Sequence, residues 1–207
     1  MSEHVVGRWR TITERTTTPA PRSASLAWWG MVWVIATELT LFGVLISSYF
    51  WIRWQTDTGW PPAGVPDPKL LYPTLLTGAM AASALTAWAA ERGVRRGRPG
   101  VLSAGLIGTL ALGGAYFAFQ TLDFLEKLKS FTPQDHAYGA LVYTITGAHA
   151  AHAAVGMLLV AWVLLRAWRG TYTPARHVGV TVAALYWYFV VAVAFAVYGS
   201  VSLSPYL

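Results

Sequence analysis

Cysteine is absent from the 207 residues. Its absence excludes disulfide scaffolds, iron–sulfur clusters, thiolate copper sites and cysteine-ligated zinc. Charge is scarce as well. Asp, Glu, Lys and Arg together make up 12% of the chain, about half the usual globular share. A signal-peptide pattern is also missing, since the segment up to Ala20 is polar, rich in Thr and Arg, and has no apolar stretch. What abounds is hydrophobic surface, at 55% of the residues, with 11 Trp and 10 Tyr of the kind that gather where a bilayer meets water. This composition predicts an integral membrane protein. The formal net charge of +6 forms no single block, because the basic residues are scattered between the apolar stretches. Nothing in it points to nucleic acid.

Five stretches are long and apolar enough to cross roughly 30 Å of hydrocarbon as helices. They run approximately Leu26–Ile52, Leu70–Ala90, Val101–Leu122, Tyr138–Leu165 and Val178–Ser200. None alternates polar and apolar residues as a barrel strand must. The expected fold is therefore an all-α, five-transmembrane-helix bundle over 26–207, preceded by a polar tail over 1–25. Eleven basic residues fall on one side: Arg8, Arg10, Arg15, Arg22, Arg92, Arg95, Arg96, Arg98, Arg166, Arg169 and Arg176. Four fall on the other: Arg53, Lys69, Lys127 and Lys129. The positive-inside rule then places the N-terminus in the cytoplasm and the C-terminus outside. Trp28, Trp29, Trp88 and Trp168 fit the inner boundary of that frame, and Trp51, Trp54 and Trp60 the outer one. Of the outer connections, one is stiffened by Pro61, Pro62, Pro66 and Pro68. The other carries Asp123, Glu126, Lys127, Lys129, Asp135 and His136.

Helices in lipid approach closely where small residues line up. Such stripes occur at Gly78 and Ala82, at Gly105, Thr109 and Gly113, at Ala148, His152 and Gly156, and at Ala192, Ala196 and Ser200. Each fits either a tight bundle or docking on another subunit. Phe117, Trp187 and Phe189 read as packing residues.

Glu38 is the one carboxylate expected deep in the hydrocarbon. A bare charge there costs several kcal/mol unless it is protonated or paired, and desolvation favours the protonated form. The fourth span runs the opposite way and carries His149 and His152 at similar depth, three residues apart and so on one helix face. The expectation is a contact between Glu38 and these histidines. Three uses remain open: a hydrogen bond fixing helix register, proton conduction or buffering, and a metal site. The last is short of ligands, because a two-metal carboxylate centre needs several more acids. His4, His136 and His177 lie outside the spans, so the chain has too few histidines to hold haem and copper oxygen chemistry alone.

These residues occur in an order that resembles subunit III of the haem–copper respiratory oxidases (the cytochrome c oxidase subunit 3 family) in its short, five-helix bacterial form. Tyr138-Gly139, Thr146-Gly147-Ala148-His149-Ala150-Ala151-His152 and Gly156 resemble the family's YG…TGxHxxHxxxG pattern. Thr37-Glu38, Phe42 and Tyr49-Phe50 resemble its first-span run, and Trp60-Pro61-Pro62 its first outer loop. Gln120, Asp123 and Glu126 fit a Q-x-x-E-x-x-E segment with Asp in place of the first Glu. Tyr186-Trp187-Tyr188-Phe189-Val190 resembles its last-span motif, except that Tyr188 and Val191 stand where the family has His and Asp.

The resemblance implies an accessory subunit without haem, copper or a catalytic centre of its own. It would flank subunits I and II, which hold the haem and copper, in a bacterial cell membrane. The family holds lipids in a cleft between its first two spans and the others. It supports sustained turnover by helping proton uptake at the inner surface and oxygen access. Its acid at the position of Glu38 is family-typical. Arg92, Arg95 and Arg96 are the candidate contacts for phospholipid headgroups. Other readings are a quinol oxidase subunit, a nitric oxide reductase accessory protein, a stand-alone metalloenzyme using Glu38, His149 and His152, or a small transporter. The last finds no inverted repeat or interrupted helix to support it.

Overall fold

Apolar runs joined by short polar turns become five long helices. In the computed structural model, which describes residues 25–57 and 59–206, these are α1 (Leu26–Trp54), α2 (Leu71–Arg95), α3 (Pro99–Lys127), α4 (Ala137–Trp168) and α5 (Val178–Val197). A π-helical turn, Tyr198–Leu203, and a 3-10 turn, Ser204–Tyr206, continue α5. Among the described residues there is no strand. The arginines expected in the N-terminal tail, Arg8 to Arg22, lie outside the described residues.

Local chemistry sets the helix ends. The Ser25 hydroxyl accepts from the Trp28 amide at 3.3 Å and caps α1. Pro99 opens α3, where its missing N–H costs nothing. The His136 ring caps α4, its Nδ1 accepting from the Gly139 amide at 2.8 Å. Gly97 and Gly170, at φ 66° and 69°, make the turns after α2 and α4.

The helices outrun the apolar stretches, most of all in α3. Twenty-nine residues extend about 44 Å, past the hydrocarbon, because backbone hydrogen bonding does not stop where charge begins. Asp123, Glu126 and Lys127, expected in a loop, belong to the last turns of α3. Among the described residues four helices are long and apolar enough to cross a membrane: α1, α3, α4 and α5 with its extension. By composition α2 is not among them. It carries Glu91, Arg92 and Arg95, and its faces are rich in Ala, Thr, Ser and Gly.

Neighbouring helices run antiparallel, and α5 is the centre. Trp187 is fully buried, and its indole N–H donates to Ser83 Oγ of α2 at 2.9 Å. Against its ring lies Gly156 of α4, where a Cβ would stand 2.8 Å from Trp187 Cε3. The closest seam joins α2 and α3. A Cβ on Gly105 would fall 2.6 Å from the Thr86 carbonyl oxygen, and Thr86 and Thr109 hydroxyls meet at 2.9 Å. The Gly105, Thr109, Gly113 stripe is therefore internal packing. The stripe at Ala192 and Ala196 is not, since both are exposed, and Gly78 has open space around it.

Contacts of α1 fall on α4 and α5, and α2 packs on α3 and α5. Each of the first two helices thus packs mainly on later ones. Only Phe42 and Tyr49 of α1 are buried, while Trp33, Trp51 and Trp54 are more than 60% exposed.

Candidate functional site

Near the middle of α1, Glu38 faces α4, and its Oε2 lies 2.7 Å from His152 Nε2. The other ring nitrogen, Nδ1, is 2.7 Å from the Ala148 carbonyl oxygen. A carbonyl oxygen only accepts, so Nδ1 carries a proton. Two states remain: a neutral imidazole accepting from a protonated carboxyl, or an imidazolium donating to a carboxylate. Either way the pair is neutral overall and holds one proton between Oε2 and Nε2. That arrangement removes the cost of an isolated charge at membrane depth. The pair lies at a seam open to its surroundings, with side chains 27% and 17% exposed. Phe42 leans edge-on against His152, with ring centres 5.0 Å apart.

His149 does not join this pair. It faces the bundle interior at 2% exposure, and neither ring nitrogen has a hydrogen-bond partner among the described residues. Its neighbours are aromatic edges: Tyr116 with ring centres at 5.6 Å, and Phe42 at 6.4 Å. The expectation that one contact satisfies Glu38 and both histidines thus holds for His152 alone. A helix turn of three residues rotates His149 off the seam and into the core. Among the described residues no three His, Asp or Glu side chains gather as a metal would need, so the trio invoked for a metalloenzyme is not assembled.

A second polar group joins residues that the sequence reading named separately to Tyr116, which it did not name. Tyr116, Gln120, Asp123 and Lys127 continue the Gly105–Gly113 face of α3 toward the end that carries the α1–α2 and α3–α4 loops. The Tyr116 hydroxyl donates to Gln120 Oε1 at 3.1 Å, and Lys127 Nζ reaches Asp123 Oδ2 at 2.5 Å. Both members of that ion pair are nearly buried, at 14% and 7% exposed. The i, i+4 spacing of Tyr116–Gln120 and of an acid four residues before a lysine was the available sign. Outside, Lys69 meets Glu126, whose hydrogen bond raises the lysine above its ordinary value. In the loop, the Thr132 amide donates to Asp135 and holds its carboxyl below the usual range. Trp60, of the Trp-Pro-Pro loop, packs edge-on against Tyr49 and Tyr138 with ring centres at 5.4 and 5.1 Å.

At the opposite end, Arg95 pairs with Glu91 at 2.6 Å, and the Arg92 guanidinium lies 4.8 Å over the Trp88 ring. Among the described residues no carboxylate pairs with Arg92, Arg96 or Arg98. Trp88, Arg92 and Arg96 line a surface groove of about 370 Å³ with Arg98 and Val101. The three candidate headgroup contacts are therefore unequal, since Arg95 is already engaged. Tyr188, which stands where the resembled motif has His, places its hydroxyl 3.5 Å from Glu91 Oε2. Val191 is buried in the core.

The family profile described as "Cytochrome c oxidase subunit III" matches residues 10–203. Similar curated proteins carry the name cytochrome c oxidase subunit 3. The one from Pelomedusa subrufa is 29% identical over 88% of this chain and 72% of its own length. The one from Lumbricus terrestris is 30% identical over 78% of this chain and 64% of its own. The one from Scyliorhinus canicula is 30% identical over 84% and 67%. The chain thus spans about two thirds of the length of these relatives. With long apolar helices, a neutralised acid between two of them and a match over nearly the whole sequence, this multi-pass membrane protein belongs to the cytochrome c oxidase subunit III family.

Proposed function

We propose that the chain is the non-catalytic accessory subunit III of an aerobic terminal oxidase, seated beside the haem- and copper-bearing subunits I and II. The family match over residues 10–203 carries this reading. In it, the protein supports assembly and lasting turnover of oxygen reduction coupled to proton translocation, and lies in a bacterial cell membrane. All five helices cross, α2 included, because α2 is packed along α3 from Gly93 to Ser83. Residues 26–207 form the membrane domain, and 1–25 the cytoplasmic tail. The arginine-rich end faces the cytoplasm and the C-terminus faces outward.

Three features suit the role. The exposed apolar length of α1, with Trp33, Trp51 and Trp54, is a face for lipid or for a neighbouring subunit. The groove of Trp88, Arg92, Arg96 and Arg98 offers a phospholipid phosphate three guanidinium groups that no carboxylate among the described residues engages. The neutral Glu38–His152 pair is both a tie between α1 and α4 and a group that shares a proton at mid-depth.

The test is purification in mild detergent. The chain is expected to copurify with haem-bearing subunits and to contain no haem or copper when separated from them. Stoichiometric haem or copper in the isolated polypeptide would falsify the accessory role. Glu38→Gln is expected to leave the oxidase spectra unchanged while lowering assembly or sustained turnover. Normal assembly with normal prolonged turnover removes the function assigned to Glu38.

A further inference from the structure

Two cavities meet at the Asp123–Lys127 ion pair. The outer, about 70 Å³ in which the centre of a water molecule can move, lies at the loop end beside Lys69, Glu126 and Tyr138. The inner, about 20 Å³ by the same measure, is bounded by Gln120, Thr146, His149 and Ser202. Asp123 and Lys127 line both. An inner volume of this size matches one water molecule, which needs about 10–15 Å³ and two to four polar partners.

The partners are there, and two of them carry buried atoms with nothing else to bind among the described residues. Gln120 Oε1 is taken by the Tyr116 hydroxyl, yet its Nε2 has no acceptor among the described residues. His149, 98% buried, has one ring nitrogen that must donate and, when neutral, one that must accept; neither does so to a described residue. Asp123 gives one oxygen to Lys127, leaving lone pairs on the other. Buried polar groups in folded proteins are rarely left without a partner. The π-helical turn after α5 contributes Tyr198 and Ser202 to the same wall, a wider turn than an α-helix at a point where space is kept.

We infer that the inner cavity is an internal water site, its molecule held by His149, Gln120 and Asp123 and supplied from the loop end past Lys127. The water accepts from Gln120 Nε2 and donates to Asp123 or to the unprotonated nitrogen of His149. His149 is thereby linked to the aqueous phase at the loop end. His152, one turn further along α4, has both nitrogens engaged by protein and stays apart from it. This inference concerns the bundle's interior and does not depend on which complex the chain joins.

The test is magnetisation transfer from water to histidine rings in ¹⁵N-histidine-labelled protein, kept in its native complex in lipid. The His149 signal is assigned by its disappearance in His149→Phe. In the wild type it is expected to receive magnetisation from water, and Gln120→Met is expected to weaken that transfer several-fold while the His152 signal stays unchanged. A His149 ring dry in the wild type, or transfer untouched by Gln120→Met, overturns the inference. Should Gln120→Met fail to fold, a wild-type density map that resolves ordered water decides instead. A peak within hydrogen-bond reach of His149 and Gln120 supports the site, and an empty cavity overturns it.

Discussion

His149 and His152 stand three residues apart on α4, and their surroundings solve the same problem in opposite ways. At the α1–α4 seam, His152 meets one matched partner, Glu38, and a backbone carbonyl, and is content with both nitrogens bonded. Inside the bundle, His149 has no hydrogen-bond partner among the described residues but borders a cavity shared with Gln120, Asp123 and Lys127. A polar side chain at a seam is satisfied by the sequence of the facing helix. One in the interior is satisfied by space left between several helices, which no single residue dictates.

The sharpest way to break the comparison is at the ion pair that separates the two cavities. Asp123→Leu strands the Lys127 ammonium in a nearly buried site, and loss of one partner of such a pair costs about 3–5 kcal/mol. The expected outcome is a large drop in thermal stability in detergent, or no folded protein. The seam is weaker. A double-mutant cycle of Glu38→Leu and His152→Leu is expected to give a coupling of about 0.6–1.7 kcal/mol, the range of hydrogen bonds between membrane helices; chemical or thermal unfolding in detergent measures it. No coupling would mean that the seam bond is not formed in lipid.

His149→Phe should do less than either. It removes no hydrogen bond to a described residue, and the somewhat larger ring can take up part of the cavity that His149 borders, so stability is expected to change by less than about 1 kcal/mol. A loss as large as that of Asp123→Leu would show His149 to have a direct partner. The smallest effect belongs to the loop, where water itself is the surroundings. The Asp135 carboxyl is held below the usual range by the Thr132 amide. A lowered value in the folded state gives stability above the unfolded carboxylate value, lost as pH falls through the folded one. Wild type and Asp135→Asn should therefore differ slightly near neutral pH and converge on acidification, as followed by melting at a series of pH values.

Much of this was legible in the residues. The apolar runs place the starts of α1 at Leu26 and of α5 at Val178 where the helices begin. Depth matching between antiparallel spans brings Glu38 opposite the α4 histidines. Which histidine answers was not legible, because residues three apart differ by about 60° around a helix, and the facing residues of α1 and α5 choose between them only once the bundle is packed. Asp123 was misread as a loop residue because hydropathy ends where charge starts, while the α3 backbone runs on to Lys127. Stripes of small residues split in the same way. Gly105 and Thr109 press on α2, but Ala192 and Ala196 face outward, and only the partner's position tells them apart.

The close approach of Gly93 and Gly105 to the facing helix also bears on how the chain enters its bilayer. A Cβ on Gly93 would stand 2.8 Å from the Leu102 amide nitrogen, so the two backbones meet right up to their three-residue turn. On its own, α2 is a poor passenger for insertion, too rich in hydroxyls and charge. Zipped to α3, it has polar groups that face those of its neighbour, as the Thr86 and Thr109 hydroxyls do. Bulk added at either glycine would meet backbone atoms of the facing helix, so the hairpin would have to part before a larger side chain could be seated.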